Sequence, residues 1–267
     1  MSSGPAVTLT WGVGVSMGIY ASGGVSGGHL NPAVSVAMAV LRRLPWTKVP
    51  VYMAAQYIGS FWASCVTYFL YYDALEKFDG GDRQMFGDHG TAGIWATYPQ
   101  SYISVWTGLG DQIFSTSLLL LCVLAIMDPH NMTPHKGLMP ITVGMLITAL
   151  ALAFGYNCGC AMNPARDLSP RIFTALAGWG LEPFSLRGYN WFWVNIVGPH
   201  IGAVVGALMY QAFIGFHWPH PDSPDVPVGL DEAMEPLVGE VTEQTENSHE
   251  EFEKKSELLI HRVVTTV

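Results

Sequence analysis

Long stretches without charge divide this chain. No Asp, Glu, Lys or Arg precedes Arg42, and residues 49–72, 137–165 and 188–216 contain none. Each is longer than the ~20 apolar residues a helix needs to cross a bilayer core. A soluble amphipathic helix would carry a polar stripe at helical period. Here Gly, Ser and Thr interrupt the aliphatic residues instead, the habit of membrane bundles in which small side chains let backbones approach. The pattern predicts five full spans, at about 5–23, 49–72, 103–127, 137–156 and 188–216, the third carrying one charge, Asp111. Two shorter apolar pieces, about 31–41 and 163–177, each begin at Asn-Pro. They are too short to span and are expected to be re-entrant half-helices. The predicted fold class is an all-α membrane protein, an inverted-repeat helical bundle of five spans and two half-helices.

The chain also repeats itself at an offset of 132 residues. Gly12 answers to Gly144, Gly23 to Gly155, Gly27 to Gly159, and Asn31-Pro32-Ala33 to Asn163-Pro164-Ala165. Three predicted spans separate the two triplets. Because that number is odd, the second copy enters the membrane upside down, an arrangement that brings discontinuous helices together at the midplane. Arg42, Arg43 and Lys48 follow the first half-helix, and Lys136 sits in the short loop 128–136. The positive-inside rule makes both loops cytoplasmic, with loop 73–102 outside and the C-terminal tail inside. The sequon Asn131-Met132-Thr133 then falls on the cytoplasmic side, where no sugar is expected.

Composition adds a boundary. Half of the residues are hydrophobic and 12% are charged, against about 25% in soluble domains. Up to Phe216 nine acidic residues balance nine basic ones; the net charge of −9 lies wholly beyond it. The division expected is a membrane domain at 1–216, with a first half at 1–102 and a second at 103–216, and an acidic, disordered cytoplasmic tail at 217–267. The tail's last residues, Thr265-Thr266-Val267, could suit a carboxylate-binding pocket, but a disordered end is the simpler expectation. Cys65 and Cys122 fall inside spans, which argues against a disulfide framework, and Cys158-x-Cys160 lacks partners at zinc spacing. No nucleophile–base pair, metal cluster or phosphate loop is visible. No enzyme, cofactor, metal or nucleic-acid partner is therefore expected.

The triplets carry the candidate chemistry. Asn is a preferred helix cap, and Pro is favoured next because its missing N–H is not needed there. Two half-helix N-termini meeting at mid-membrane each bring a partial charge of about +0.5. The Asn amides add N–H donors. A neutral solute can accept those bonds, while a cation or hydronium meets a positive field and poor hydration.

In Trp11–Val40 (WGVGVSMGIYASGGVSGGHLNPAVSVAMAV), Gly155–Gly180 (GYNCGCAMNPARDLSPRIFTALAGWG) and the Ala-Thr-Tyr-Pro run at 96–99, the chain resembles the aquaporin superfamily, specifically its aquaglyceroporin branch. The likeness covers about residues 7–216. It implies a constriction formed by Trp11, Ala151, Cys160 and Arg166. Arg166 would supply a permanent charge and a fork of donors, Trp11 a flat apolar wall, and the small Ala151 and Cys160 a wide opening suited to a polyol. Asp167, after the arginine, also resembles the glycerol-conducting branch. The simpler reading of Arg166 is a salt bridge to Asp167, and of Trp11 an interfacial belt residue. Asp111 would hydrogen-bond the backbone of a re-entrant loop, and His29 would support the first triplet. His200 stands where relatives have an aliphatic residue; an interhelical hydrogen bond is preferred over a pH gate. Asn195 stands where glycerol-branch relatives usually carry Pro.

The family has six spans, and this chain matches it from the second span onward. The third span, 103–127, thus has no counterpart upstream, and the loop near His29 is expected to lose partners. The function implied is a passive channel in the lipid bilayer of the plasma membrane. It would pass glycerol, water and other small neutral solutes such as urea and exclude ions and protons, and it would assemble as a homotetramer. The alternative is a non-conducting subunit that modulates a full-length relative by hetero-assembly.

Overall fold

The computed structural model describes residues 4–219, so the predicted disorder of the tail and its C-terminal signal, from 220 on, lie outside the described residues. The helices in chain order are α1 (Pro5–Ser26), α2 (Pro32–Val40), α3 (Val49–Leu70), α4 (Tyr72–Asp79), α5 (Val105–Met127), α6 (Met139–Cys158), α7 (Pro164–Leu176), α8 (Glu182–Tyr189) and α9 (Val194–Phe213). The described residues contain no named strand. The five predicted spans are α1, α3, α5, α6 and α9, each of 20 to 23 residues. At 1.5 Å per residue that is roughly 30–35 Å, the thickness of a bilayer core. By length and apolarity together, α5, α6 and α9 (taken through His217) qualify as membrane-crossing helices. α1 and α3 match them in length but are less apolar, since Thr, Ser, Gly and Gln take aliphatic positions in them.

Local sequence sets the helix starts. Proline occupies the first or second position of α1, α3 and α6, where its missing N–H costs nothing. Ser104 caps α5 by accepting from the Thr107 amide at 2.9 Å. The loop predicted for 73–102 differs from expectation, because its first part is helical. The stretch Tyr72–Asp79 has strong helical amphipathicity and stops at Gly80, whose φ of +66° suits glycine. The buried Arg83 side chain then pins α4 by pairing with Glu76 at 2.5 Å and with Asp79.

The repeat is visible in the packing. α1 and α6 cross at Gly12 and Gly144, where a Cβ on either glycine would collide with the carbonyl of the other. α3 packs on α7 as α9 packs on α2, and α2 meets α3 as α7 meets α9. α5 lies against α9 and α6. It seats on Gly198, Gly202 and Gly206 of α9, where added Cβ atoms would strike Gln112, Ile113 and Ser117. Among the described residues no element takes the matching place on α3 and α1. Gly59 of α3, in the run AQYIG that aligns with VNIVG at 194–198 once the offset grows from 132 to 139 residues in the last span, is exposed with open space beside it. The main core joins Ala33, Ala37 and Met38 of α2 to Leu119, Leu120 and Leu124 of α5 and Ala203, Ala207 and Tyr210 of α9. The first half-helix is therefore largely buried, with seven of its nine residues shielded.

Candidate functional site

The two Asn-Pro-Ala turns meet. Asn31 caps α2 from an extended backbone (φ −154°), accepting from the Ala33 amide at 2.9 Å. Asn163 caps α7 in the same way (φ −145°), accepting from the amides of Ala165 at 3.0 Å and Arg166 at 3.2 Å. Each side-chain amide also reaches across the pseudo-two-fold axis. Asn31 Nδ2 donates to the Met162 carbonyl at 2.9 Å, and Asn163 Nδ2 donates to the Leu30 carbonyl at 2.8 Å. The chain arrives at both turns along one backbone path. Gly27, Gly28 and Leu30 have φ of +78°, +63° and +52°; Gly159, Cys160 and Met162 have +82°, +50° and +46°. For a residue with a Cβ this left-handed region costs roughly 1–2 kcal/mol, so Leu30, Cys160 and Met162 hold stored strain at the junction.

The candidate filter residues fall into two contacts. The Arg166 guanidinium stacks over the Trp11 ring, 4.3 Å from its centroid, and donates through Nη1 to the Trp95 carbonyl at 3.0 Å. The buried Cys160 thiol lies 3.6 Å from the Leu150 carbonyl, next to Ala151. His29 Nδ1 is 3.1 Å from Ser35 Oγ, and its ring meets Tyr52 edge-on at 5.4 Å. Ser35 also accepts from Gln56 Nε2 at 3.1 Å and donates to the Asn31 carbonyl at 3.2 Å.

Asp167 is fully buried and pairs with Arg171 rather than with Arg166. It accepts from Arg171 Nη2 at 2.7 Å and Nε at 3.0 Å, and from the Thr97 amide and hydroxyl at 2.8 and 2.6 Å. Arg171 in turn donates to the carbonyls of Thr97 and Pro183, both at 2.7 Å. The simple salt-bridge reading of Arg166 thus does not hold. Arg171, four residues after Asp167 on the same face of α7, takes the carboxylate and leaves Arg166 to Trp11 and Trp95.

Asp111 requires a correction. The re-entrant loop is bonded by Gln112, whose Oε1 accepts from the Met162 amide at 3.0 Å. Asp111 instead accepts from Asn157 Nδ2 at 2.7 Å. One residue along a helix turns the side chain by about 100°, from 3.6 residues per turn, and that rotation moves the acceptor from the end of α6 to the loop. His200 makes a bond within its own helix, donating from Nδ1 to the Ile196 carbonyl at 2.7 Å. The sequence reading also missed Thr97 and Arg171. Arg171 was detectable as a charge four residues after Asp167 in a charge-poor segment; nothing in the local pattern marked Gln112.

The sequence pattern of the Major intrinsic protein family matches residues 2–210, nearly all of the described chain. The chain belongs to this family. Among its relatives, Aquaporin-2 of Milnesium tardigradum is 52% identical over 214 residues, which are 80% of this chain and 66% of that protein. Aquaporin-9 of Homo sapiens is 49% identical over 222 residues, 82% of this chain and 75% of that one. The solved aquaglyceroporin from Plasmodium falciparum superposes with a TM-score of 0.72 at 29% identity, covering 81% of this chain and 86% of that structure. The chain therefore has the aquaporin fold, and it spans just under two thirds of the tardigrade relative's length. Members of the family are passive membrane channels and not enzymes.

Proposed function

We propose that this chain forms a passive transmembrane pore for glycerol, water and other small neutral solutes such as urea, of the aquaglyceroporin kind, and that it rejects ions and protons. The observation that carries this reading is the reciprocal bonding of the two Asn amides across the junction of α2 and α7. An amide has two N–H donors. One on each Asn is used to hold the opposite loop, and the second remains for an acceptor in the pore. Two helix N-termini add a positive field at the same place, which opposes cations. At Trp11 and Arg166 an apolar ring adjoins a donor fork, so a polyol finds a surface for its carbons and donors for its hydroxyls. The chain would lie in the plasma membrane with its C-terminal side in the cytoplasm and assemble as a homotetramer.

Labelled-glycerol uptake, osmotic shrinkage and current recording in proteoliposomes test the reading. Glycerol and water should enter faster than in empty vesicles, with no accompanying current. Arg166→Val, which copies Val34 at the matching position of the first repeat, should weaken discrimination against cations. Glycerol uptake no faster than in empty vesicles would refute the proposal. The Cys160 thiol predicts block by mercurials, which Cys160→Ala should abolish.

One observation favours a second reading. The exposed Gly59 and Ala63 of α3 match Gly198 and Gly202 of α9, which α5 covers. A helix from another polypeptide could seat there, making this chain a modulating subunit of a longer relative. Co-purification with such a relative, lost on Gly59→Leu, would support this reading.

A further inference from the structure

Asn195 is fully buried as the second residue of α9. Burying an amide in an apolar helix is costly unless its groups are bonded. Its Nδ2 donates to Thr97 Oγ1 at 3.1 Å and to the Thr97 carbonyl at 3.4 Å. Its Oδ1 has no partner among the described residues. The donor side is therefore the part of this amide that the fold uses.

Thr97 is the hub of the surrounding knot. Its hydroxyl donates to Asp167 and accepts from Asn195, so both hydroxyl bonds are fixed in direction. Its carbonyl accepts from Arg171 Nη2 at 2.7 Å and from Trp191 Nε1 at 3.4 Å. A Cβ at Gly159 would lie 2.9 Å from Thr97 Cβ, so the loop is also pressed against the approach to the second turn. Two residues before Thr97 is Trp95, whose carbonyl receives the Arg166 guanidinium. Asp167 and Arg171 tie Thr97 to the same half-helix that carries Arg166. Asn195 ties it to α9, which packs on α2, α5 and α7.

We infer that Asn195 is a positioning residue for Arg166, acting through Thr97 and the Trp95 carbonyl, and that it thereby sets the solute preference of the pore. This rests on the pore reading above. The Thr97–Asp167 bonds survive its removal, so the effect is a change of selectivity rather than loss of the channel.

The test compares purified wild-type protein, Asn195→Leu, Asn195→Pro and Gly202→Ala in proteoliposomes. Water permeability and labelled-glycerol permeability are measured on each preparation. Proline is tolerated in the first turn of a helix, where no intrahelical amide bond is lost, so Asn195→Pro removes the donor and keeps the start of α9. Both Asn195 variants should shift the glycerol-to-water permeability ratio by about three- to tenfold, the worth of one buried hydrogen bond. Gly202→Ala disturbs the α5 contact of the same helix without touching Thr97; it should lower the yield of folded channel and leave the ratio unchanged. A conducting wild type with an unchanged ratio in either Asn195 variant sinks this inference alone. A wild type that passes neither solute removes the pore reading and this inference with it. If both Asn195 variants fail to fold where Gly202→Ala folds, Asn195 serves folding and the inference is wrong.

Discussion

The two half-helices α2 and α7 share a backbone and differ in chemistry. Their caps, their left-handed approach residues and their reciprocal Asn bonds coincide. Their side chains do not. At the repeat offset Arg166 corresponds to Val34, Asp167 to Ser35, Arg171 to Ala39 and Cys160 to Gly28. The second half therefore carries a buried ion pair and an arginine stacked on Trp11, while the first carries a neutral cluster of Ser35, His29 and Gln56. Support from outside differs too. The Met162 amide finds Gln112 on α5, whereas the matching Leu30 amide has no acceptor among the described residues. An inverted repeat thus supplies a symmetric frame, and chemical asymmetry comes from what is placed on one side of it.

The comparison can be broken most severely at Arg171. Arg171→Met leaves Asp167 buried without its cation, at a cost of roughly 3–5 kcal/mol. Size-exclusion profiles after heating in detergent should show early loss of the folded species, and a profile like that of the wild type would refute the role assigned to the pair. Next is Gln112→Leu, which makes the second turn resemble the first by orphaning the Met162 amide, at about 1–3 kcal/mol. Hydrogen exchange at Met162 should then rise toward that at Leu30; persistent protection would mean that Gln112 is not its essential acceptor. Ser35→Ala attacks the neutral half and should cost only about 1 kcal/mol, so its thermal shift should be clearly smaller than that of Arg171→Met. The smallest effect is expected at His200. Its bond to Ile196 stays within α9, so His200→Leu should leave the pH profile of glycerol flux unchanged across the ordinary imidazole range, from about pH 5.5 to 7.5. A profile altered by that substitution would reinstate the gate.

Much of this was legible along the chain. Charge-free stretches located α1, α3, α6 and α9, an apolar stretch with one charge located α5, and the repeat, with three spans between its triplets, predicted that the two half-helices meet. Both half-helices start where Asn-Pro placed them. The site was less legible. Arg166 and Trp11 do meet, but Asp111 was assigned the acceptor role that belongs to Gln112. Adjacent residues on a helix face directions about 100° apart, and only the packed neighbours decide which one reaches the loop. Thr97 escaped notice for a related reason: its partners Asp167, Arg171 and Asn195 lie 70 or more residues away.

Properties that depend on transfer from water to lipid and on local backbone preference were determined by the sequence itself. These are the apolar spans, the half-helix caps at Asn31 and Asn163, and the inverted order of the repeat. Tertiary structure alone decided which of two arginines neutralises Asp167 and which is left for Trp11, because Coulomb and hydrogen-bond energies turn on ångström-scale separations between distant segments. It also gave Asn195 an account, through a donor bonded to a loop that the linear order places far from it.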